Sequence, residues 1–164
     1  MKIKLTLVLF LVSCSTVFAQ NEKQWAVILL NKQLQSVVNR QYQKSDLSSK
    51  SKVVKSLAYY DAEQAEDKIS YLFEYDFLGK TLFQTTFNPA NITGIEEPVL
   101  ISDNVYSFQV NIKEGHIKRV IKNSDDRNAT TNQLTIYFYK DAENTFPNLK
   151  ITLLELKKLF AKAK

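Results

Sequence analysis

Two stretches of this chain place apolar side chains at every second position, and only a short glycine-containing segment separates them. Ile69, Tyr71, Phe73 and Tyr75 fall on one face of the first stretch; Thr81, Phe83, Thr85 and Phe87 fall on one face of the second. Successive side chains of a strand point to opposite sides, so each stretch reads as a strand with one buried face. Leu78-Gly79-Lys80 supplies the turn. A β-hairpin is therefore built into whatever this chain folds into.

More strands flank the hairpin. Val53 to Tyr60 reads as a strand before it. Ile92 to Glu96 reads as a short strand that ends before Pro98, because a residue preceding proline is pushed into an extended or turn conformation. Val105 to Ile112 points Tyr106, Phe108, Val110 and Ile112 inward; Glu114-Gly115 supplies a turn, and Ile117 to Lys122 returns. In the last strand, Leu134, Ile136 and Phe138 share one face while Tyr137 and Tyr139 share the other. Polar segments at 45–51, 61–67 and 123–132 connect these pieces. The count is about seven strands at spacings typical of an antiparallel meander.

Helices are expected at both ends. From about residue 22 to 43, Val27, Leu30, Leu34, Val37, Val38 and Tyr42 recur at helical spacing, widened by Trp25 and Leu29. Asn21 is placed to cap this helix, with Gln24 as its partner. From about 146 to 163, Leu149, Leu153, Leu156 and Phe160 form a second stripe, broadened by Ile151, Leu154 and Leu159. Asn144 or Thr145 can cap it, Pro147 sits near its start, and lysines crowd its end.

These elements make an α+β fold: a helix, about seven antiparallel strands in a bent sheet or partly open barrel, and a C-terminal amphipathic helix. Residues 20–164 fit a single domain. The element order from Val53 to Lys164 resembles the pleckstrin-homology-like fold, in which two bent sheets pack nearly at right angles and a final helix plugs one end. That resemblance implies a fold and leaves the first helix as an addition; phosphoinositide binding is not carried over with it. A cystatin-like or nuclear-transport-factor-like fold, with a curved sheet around the first helix, is the alternative.

The first nineteen residues belong to no such fold. Lys2 and Lys4 precede an apolar run from Leu5 to Val12, and small residues follow up to Ala19. This is the layout of a secretory signal, and the run is too short to span a bilayer. Cleavage between Ala19 and Gln20 is expected. The Phe18-Ala19-Gln20 junction resembles the signal ends of small exported proteins of Bacteroidota. A competing reading starts from Leu11-Val12-Ser13-Cys14, which resembles a bacterial lipobox and would make Cys14 a lipidated first residue. The product is a periplasmic or secreted protein in the first case and a lipid-anchored envelope protein in the second. A membrane partner is expected only with lipidation at Cys14.

Composition then narrows the chemistry. Cys14 is the only cysteine and His116 the only histidine, so a standard zinc site and a Cys–His nucleophile pair are excluded from the mature chain. No glycine-rich phosphate loop or serine elbow is present. His116 reads as an exposed turn residue. Glu74 and Asp76 share a strand face and are the one carboxylate pair arranged for hydrolysis; adjacent Glu96 and Glu97 do not share one. Asn123, Asp125, Asp126 and Asn128 miss the spacing of a calcium loop. A net charge of +5 is too mild for a dedicated nucleic-acid binder. No catalytic residue, metal or cofactor is assigned.

The chain is rich in aromatics, with ten Phe and eight Tyr. Most alternate into strands as core. Tyr59, Tyr60, Tyr137 and Tyr139 are the candidates for ligand contact, because paired or two-faced tyrosines leave a row that something must cover. The expectation is a non-enzymatic binding or interaction module of the envelope, its partner another envelope protein. A carrier of a small apolar ligand and a carboxylate hydrolase are the alternatives.

Overall fold

A computed structural model describes residues 21–43, 50–60, 68–76, 79–122, 132–141 and 143–162. The signal residues, including Cys14, Ala19 and Gln20, and the Asn123 to Asn128 loop lie outside them. Residues 21–34 form helix α1, which tightens into a 3-10 turn at Gln35–Val37. Nine strands follow: β1 (Gln41–Gln43), β2 (Lys50–Tyr60), β3 (Ile69–Asp76), β4 (Lys80–Phe87), β5 (Ile92–Ile95), β6 (Val99–Ser102), β7 (Val105–Ile112), β8 (Ile117–Lys122) and β9 (Gln133–Tyr139). Helix α2 spans Thr145–Ala161.

All strand pairs are antiparallel. The larger sheet has the order β1-β2-β3-β4-β8. In the smaller sheet β7 is central, with β9 on one side and β5 followed by β6 along the other. The fold is thus α+β, and the sheets do not close into a barrel.

The expected hairpin is β3–β4, in register from Ile69 opposite Phe87 to Asp76 opposite Lys80. Its inward row is the expected one: Ile69, Tyr71, Phe73, Thr85 and Phe87 are buried. Opposite rows of β9 then settle the layering. Tyr137 stacks on Phe73 of the larger sheet with ring centroids 4.6 Å apart. Its neighbour Phe138 points the other way and packs on Phe146 of α2. The smaller sheet is therefore a middle layer, with the larger sheet on one face and α2 on the other.

Three local differences from the sequence expectation have physical causes. Helix α1 ends at 34 rather than near 43: Val38 is extended, Asn39 takes φ 67°, and 41–43 become β1. Asparagine tolerates the left-handed region that stops a helix, and β-branched valines favour the extended state. Strand β6 follows Pro98 and turns into β7 through Asp103-Asn104, both with positive φ, the geometry of a tight two-residue hairpin. Strand β8 does not return along β7. Both edges of β7 are already taken, so after the positive-φ Gly115 the chain crosses over and completes the free edge of β4.

Helix α1 is integral to the fold. Ala26, Val27, Leu30 and Leu34 are buried in the core, as is Val37 just beyond. Gln33 Nε2 donates to Thr152 Oγ1 of α2 at 3.4 Å, and buried Lys23 lies 4.6 Å over the Phe160 ring. Low numbers of α1 thus meet high numbers of α2, so the two helices run antiparallel. Ser36 Oγ accepts from the Tyr139 amide, tying the helix exit to the end of β9.

Candidate binding surface

Six consecutive residues of α1, Trp25 to Leu30, are apolar, which is more than one helical face can bury. The structure divides them. Ala26, Val27 and Leu30 enter the core, whereas Trp25 (65 % exposed), Ile28 (53 %) and Leu29 (54 %) face outward. Trp25 and Leu29 were expected to widen the buried stripe, and instead they form its exposed shoulder. Ile28 carried no expectation; the unbroken apolar run was its signal.

The location of this shoulder follows from helix geometry. Trp25, Leu29 and Gln33 are spaced by four and so make one row along α1. Gln33 reaches Thr152, so the row runs beside α2. On α2 itself, Leu149, Thr152, Leu153, Leu156 and Phe160 are buried, but Ile151 (58 %) and Leu154 (40 %) are exposed, against expectation. They floor a shallow trough of about 450 Å³ shared with Glu155, Lys157, Lys158 and Ala161. Two neighbouring helices thus present five large apolar side chains to the outside, with lysines beside those on α2.

The outer face of the larger sheet is polar by contrast. Gln84, Thr86, Asn88, Asn91, His116 and Lys118 line an open groove there of about 530 Å³. His116 is exposed, as expected of a turn residue, and its Nδ1 lies 3.1 Å from Asn91 Nδ2. Ser70 and Thr86 hydroxyls pair at 2.7 Å across β3 and β4.

No family model, characterised protein or solved structure matches this chain. Its chemistry is therefore read from its own residues alone.

The four candidate tyrosines do not converge. Tyr59 sits on the outer face of the larger sheet, where its hydroxyl accepts from Gln84 Nε2 at 3.2 Å. Tyr60 points inward and packs edge-on against Phe160. Tyr137 lies between the sheets against Phe73, and Tyr139 lies under the Arg40 guanidinium, 3.9 Å away. The second row of β9 is thus covered by β3 on one tyrosine and by the exit of α1 on the other.

The space between the sheets also holds polar groups, each with a partner. Tyr71 is buried, and its hydroxyl lies 3.1 Å from Ser56 Oγ. Burial pushes its phenol well above the usual tyrosine range, and the Ser56 bond offsets part of that. Burial raises the Tyr137 phenol as well, with nearby Tyr75 adding to it and Arg119 opposing it. Arg119 projects from β8 into this layer; its guanidinium donates to the Gln133 carbonyl at 2.8 Å and to Thr85 Oγ1 at 3.4 Å. Burial lowers its pKa, yet a guanidinium keeps its charge at neutral pH.

The carboxylates sit among cations or amides. Glu74 lies across from Lys55, and Asp76 across from both Lys52 and Lys80. Glu97 pairs with Lys150 at 3.0 Å, and Glu96 accepts from Asn111 Nδ2. Among the described residues, no group of three or more His, Cys, Asp or Glu side chains is placed to hold a metal ion.

Proposed function

We propose that this protein is exported and serves, without catalysis, as a small binding module of the cell envelope, with the outer faces of α1 and α2 as its partner surface. The observation that carries this reading is the pair of apolar rows, Trp25, Ile28 and Leu29 on α1 and Ile151 and Leu154 on α2, left uncovered on adjoining helices. Single exposed apolar residues are ordinary on a soluble protein, but five on two neighbouring helices make a patch of the kind that marks an interaction site.

Export places that surface in the envelope. The signal-like segment ends at Ala19, two positions before the described part of α1 begins at Asn21, so processing after Ala19 leaves every described element intact. No helix among the described residues is long and apolar enough to cross a membrane. The Phe73–Tyr137 stack supports an interaction role over a carrier role, because those rings occupy space between the sheets where cargo would otherwise sit. The cross-strand lysines opposite Glu74 and Asp76 support a solvated charge ladder over a hydrolytic pair.

The test is cell fractionation of the wild-type chain against a Trp25→Ser/Leu29→Ser/Ile151→Ser variant. Retention of the wild type with the envelope and release of the folded variant is the expected result. Equal distribution of the two contradicts the reading.

A further inference from the structure

The proposed partner surface has a composition that narrows what it meets. On α2 the outward residues include Ile151, Leu154, Glu155, Lys158, Ala161 and Lys162, with half-buried Lys157 beside them, so three lysines and one acid border the apolar residues there. Lys32 adds a further exposed cation on α1. The exposed acids on these outer faces are Glu22 and Glu155, and Glu155 is held by Lys158 at 2.8 Å in a solvated pair that is worth little. The centre of a protein–protein interface is depleted of lysine. A surface that mixes Trp, Ile and Leu with lysines instead matches the boundary of a bilayer, where apolar side chains enter the acyl region and long cationic side chains reach the headgroups.

Resting on that reading of the helical face, we propose that its partner is an anionic lipid surface, on which α1 and α2 lie side by side. Trp25, Ile28, Leu29, Ile151 and Leu154 enter the interface, and Lys32, Lys157, Lys158 and Lys162 contact headgroup phosphates. The rest of the fold is consistent with this orientation. The polar side chains of Gln84, Thr86 and Lys118 stand on the outer face of the larger sheet, and the smaller sheet lies between that sheet and Phe146 of α2. The chain also arrives at α1 straight from the signal segment. If Cys14 carries lipid, the five residues between it and Gln20 let the two lie at most roughly 20 Å apart, so the anchor would hold α1 at the membrane. Without the anchor, binding is weaker and reversible, resting on the helical face alone.

The experiment is flotation of the processed protein, Gln20 onward, with vesicles of phosphatidylcholine alone and of phosphatidylcholine mixed with phosphatidylglycerol. Binding to the anionic vesicles is expected to be stronger by about tenfold or more, and to fade as salt rises toward about 0.5 M. The K157E/K158E variant should lose about tenfold or more of that binding, and Trp25→Ser/Leu29→Ser a comparable amount. Lys118→Glu, on the other face, should bind as the wild type does. Circular dichroism and melting curves identify any variant that fails to fold, and Ile151→Ser/Leu154→Ser gives a second, independent reading of the apolar row. No binding, equal binding to both vesicle types, or unaltered binding by K157E/K158E overturns the lipid proposal. If fractionation still separates the wild type from its helical-face variant in that event, the surface takes a protein partner and only the lipid assignment falls.

Discussion

Asn31 of α1 holds Ala58 of β2 as a neighbouring strand would. Its Nδ2 donates to the Ala58 carbonyl and its Oδ1 accepts from the Ala58 amide, both at 2.6 Å. Strand β1 pairs only with residues 50–52 of β2, and Arg40 and Asn39 extend that pairing to Val53. Beyond Val53, Asn31 of the helix takes up the β2 edge at Ala58. An uncovered edge invites pairing with other chains, and a covered backbone group without a partner is costly. One side-chain amide answers both demands at Ala58.

Replacing Asn31 with Leu should therefore destabilise the fold by about 1–3 kcal/mol, since two backbone groups under a helix lose their partners. Urea unfolding measures this. Asn31→Asp should also be destabilising, because a carboxylate can accept from the Ala58 amide but cannot donate to its carbonyl. A change below about 0.3 kcal/mol in both variants would show that the edge is not held this way.

The stack between the sheets gives a second expectation. Tyr137→Ala removes a ring that fills the layer against Phe73, and truncations of this kind cost about 3–5 kcal/mol. Tyr59→Ala, at a half-exposed position on the outer face, should cost well under half as much. Thermal melting of the two variants side by side distinguishes them, and equal losses would contradict the layering described above.

Alkaline pH should unfold the protein by a predictable route. Burial raises the phenol pKa of Tyr71 and Tyr137 in the folded state. The folded chain therefore holds protons that the unfolded chain releases, and stability is complete below the unfolded tyrosine value of about 10. Above that pH, stability should fall by up to about 1.4 kcal/mol per pH unit for each such tyrosine, until its folded pKa is reached. Tyrosinate absorbance followed with pH checks this. The buried Tyr71 phenol should titrate only as the fold is lost, Tyr137 should titrate later than the exposed tyrosines, and Tyr71→Phe should flatten the slope. All eight tyrosines ionising together in a folded protein would refute it.

The Glu97–Lys150 pair should matter little, although its geometry is good at 3.0 Å. Both side chains are well exposed, at 78 % and 38 %, so solvent screens their attraction. Glu97→Gln is expected to shift stability by less than about 0.5 kcal/mol in urea unfolding. A loss above about 1 kcal/mol would mean that this contact closes α2 onto the β5–β6 edge.

What the sequence disclosed and what it concealed divide along physical lines. The inward rows of β3, β4 and β9 were legible because a period of two survives any tertiary arrangement. The partner of β8 was not, since a strand's own pattern does not say which free edge it completes. The end of α1 was obscured by Val37 and Val38, which continue the helical spacing while Asn39 breaks it. At Trp25, Leu29, Ile151 and Leu154 the pattern named the residue class correctly and the side of the helix wrongly. Apolar spacing alone cannot separate a wide buried stripe from a buried stripe beside an exposed one. The Asn31–Ala58 pairing left no sequence signal, because a polar residue on a helix flank usually meets water.

Trp25 offers the most direct test of the helical face, because it is the only tryptophan in the chain and is an exposed member of the proposed surface. The processed protein alone should emit as a solvated indole and be readily quenched by acrylamide. Adding phosphatidylglycerol-containing vesicles should shift the emission to shorter wavelength and protect it from acrylamide, while phosphatidylcholine vesicles leave it nearly unchanged. Emission and quenching that stay constant while the protein floats with the anionic vesicles would show that a different surface makes the contact.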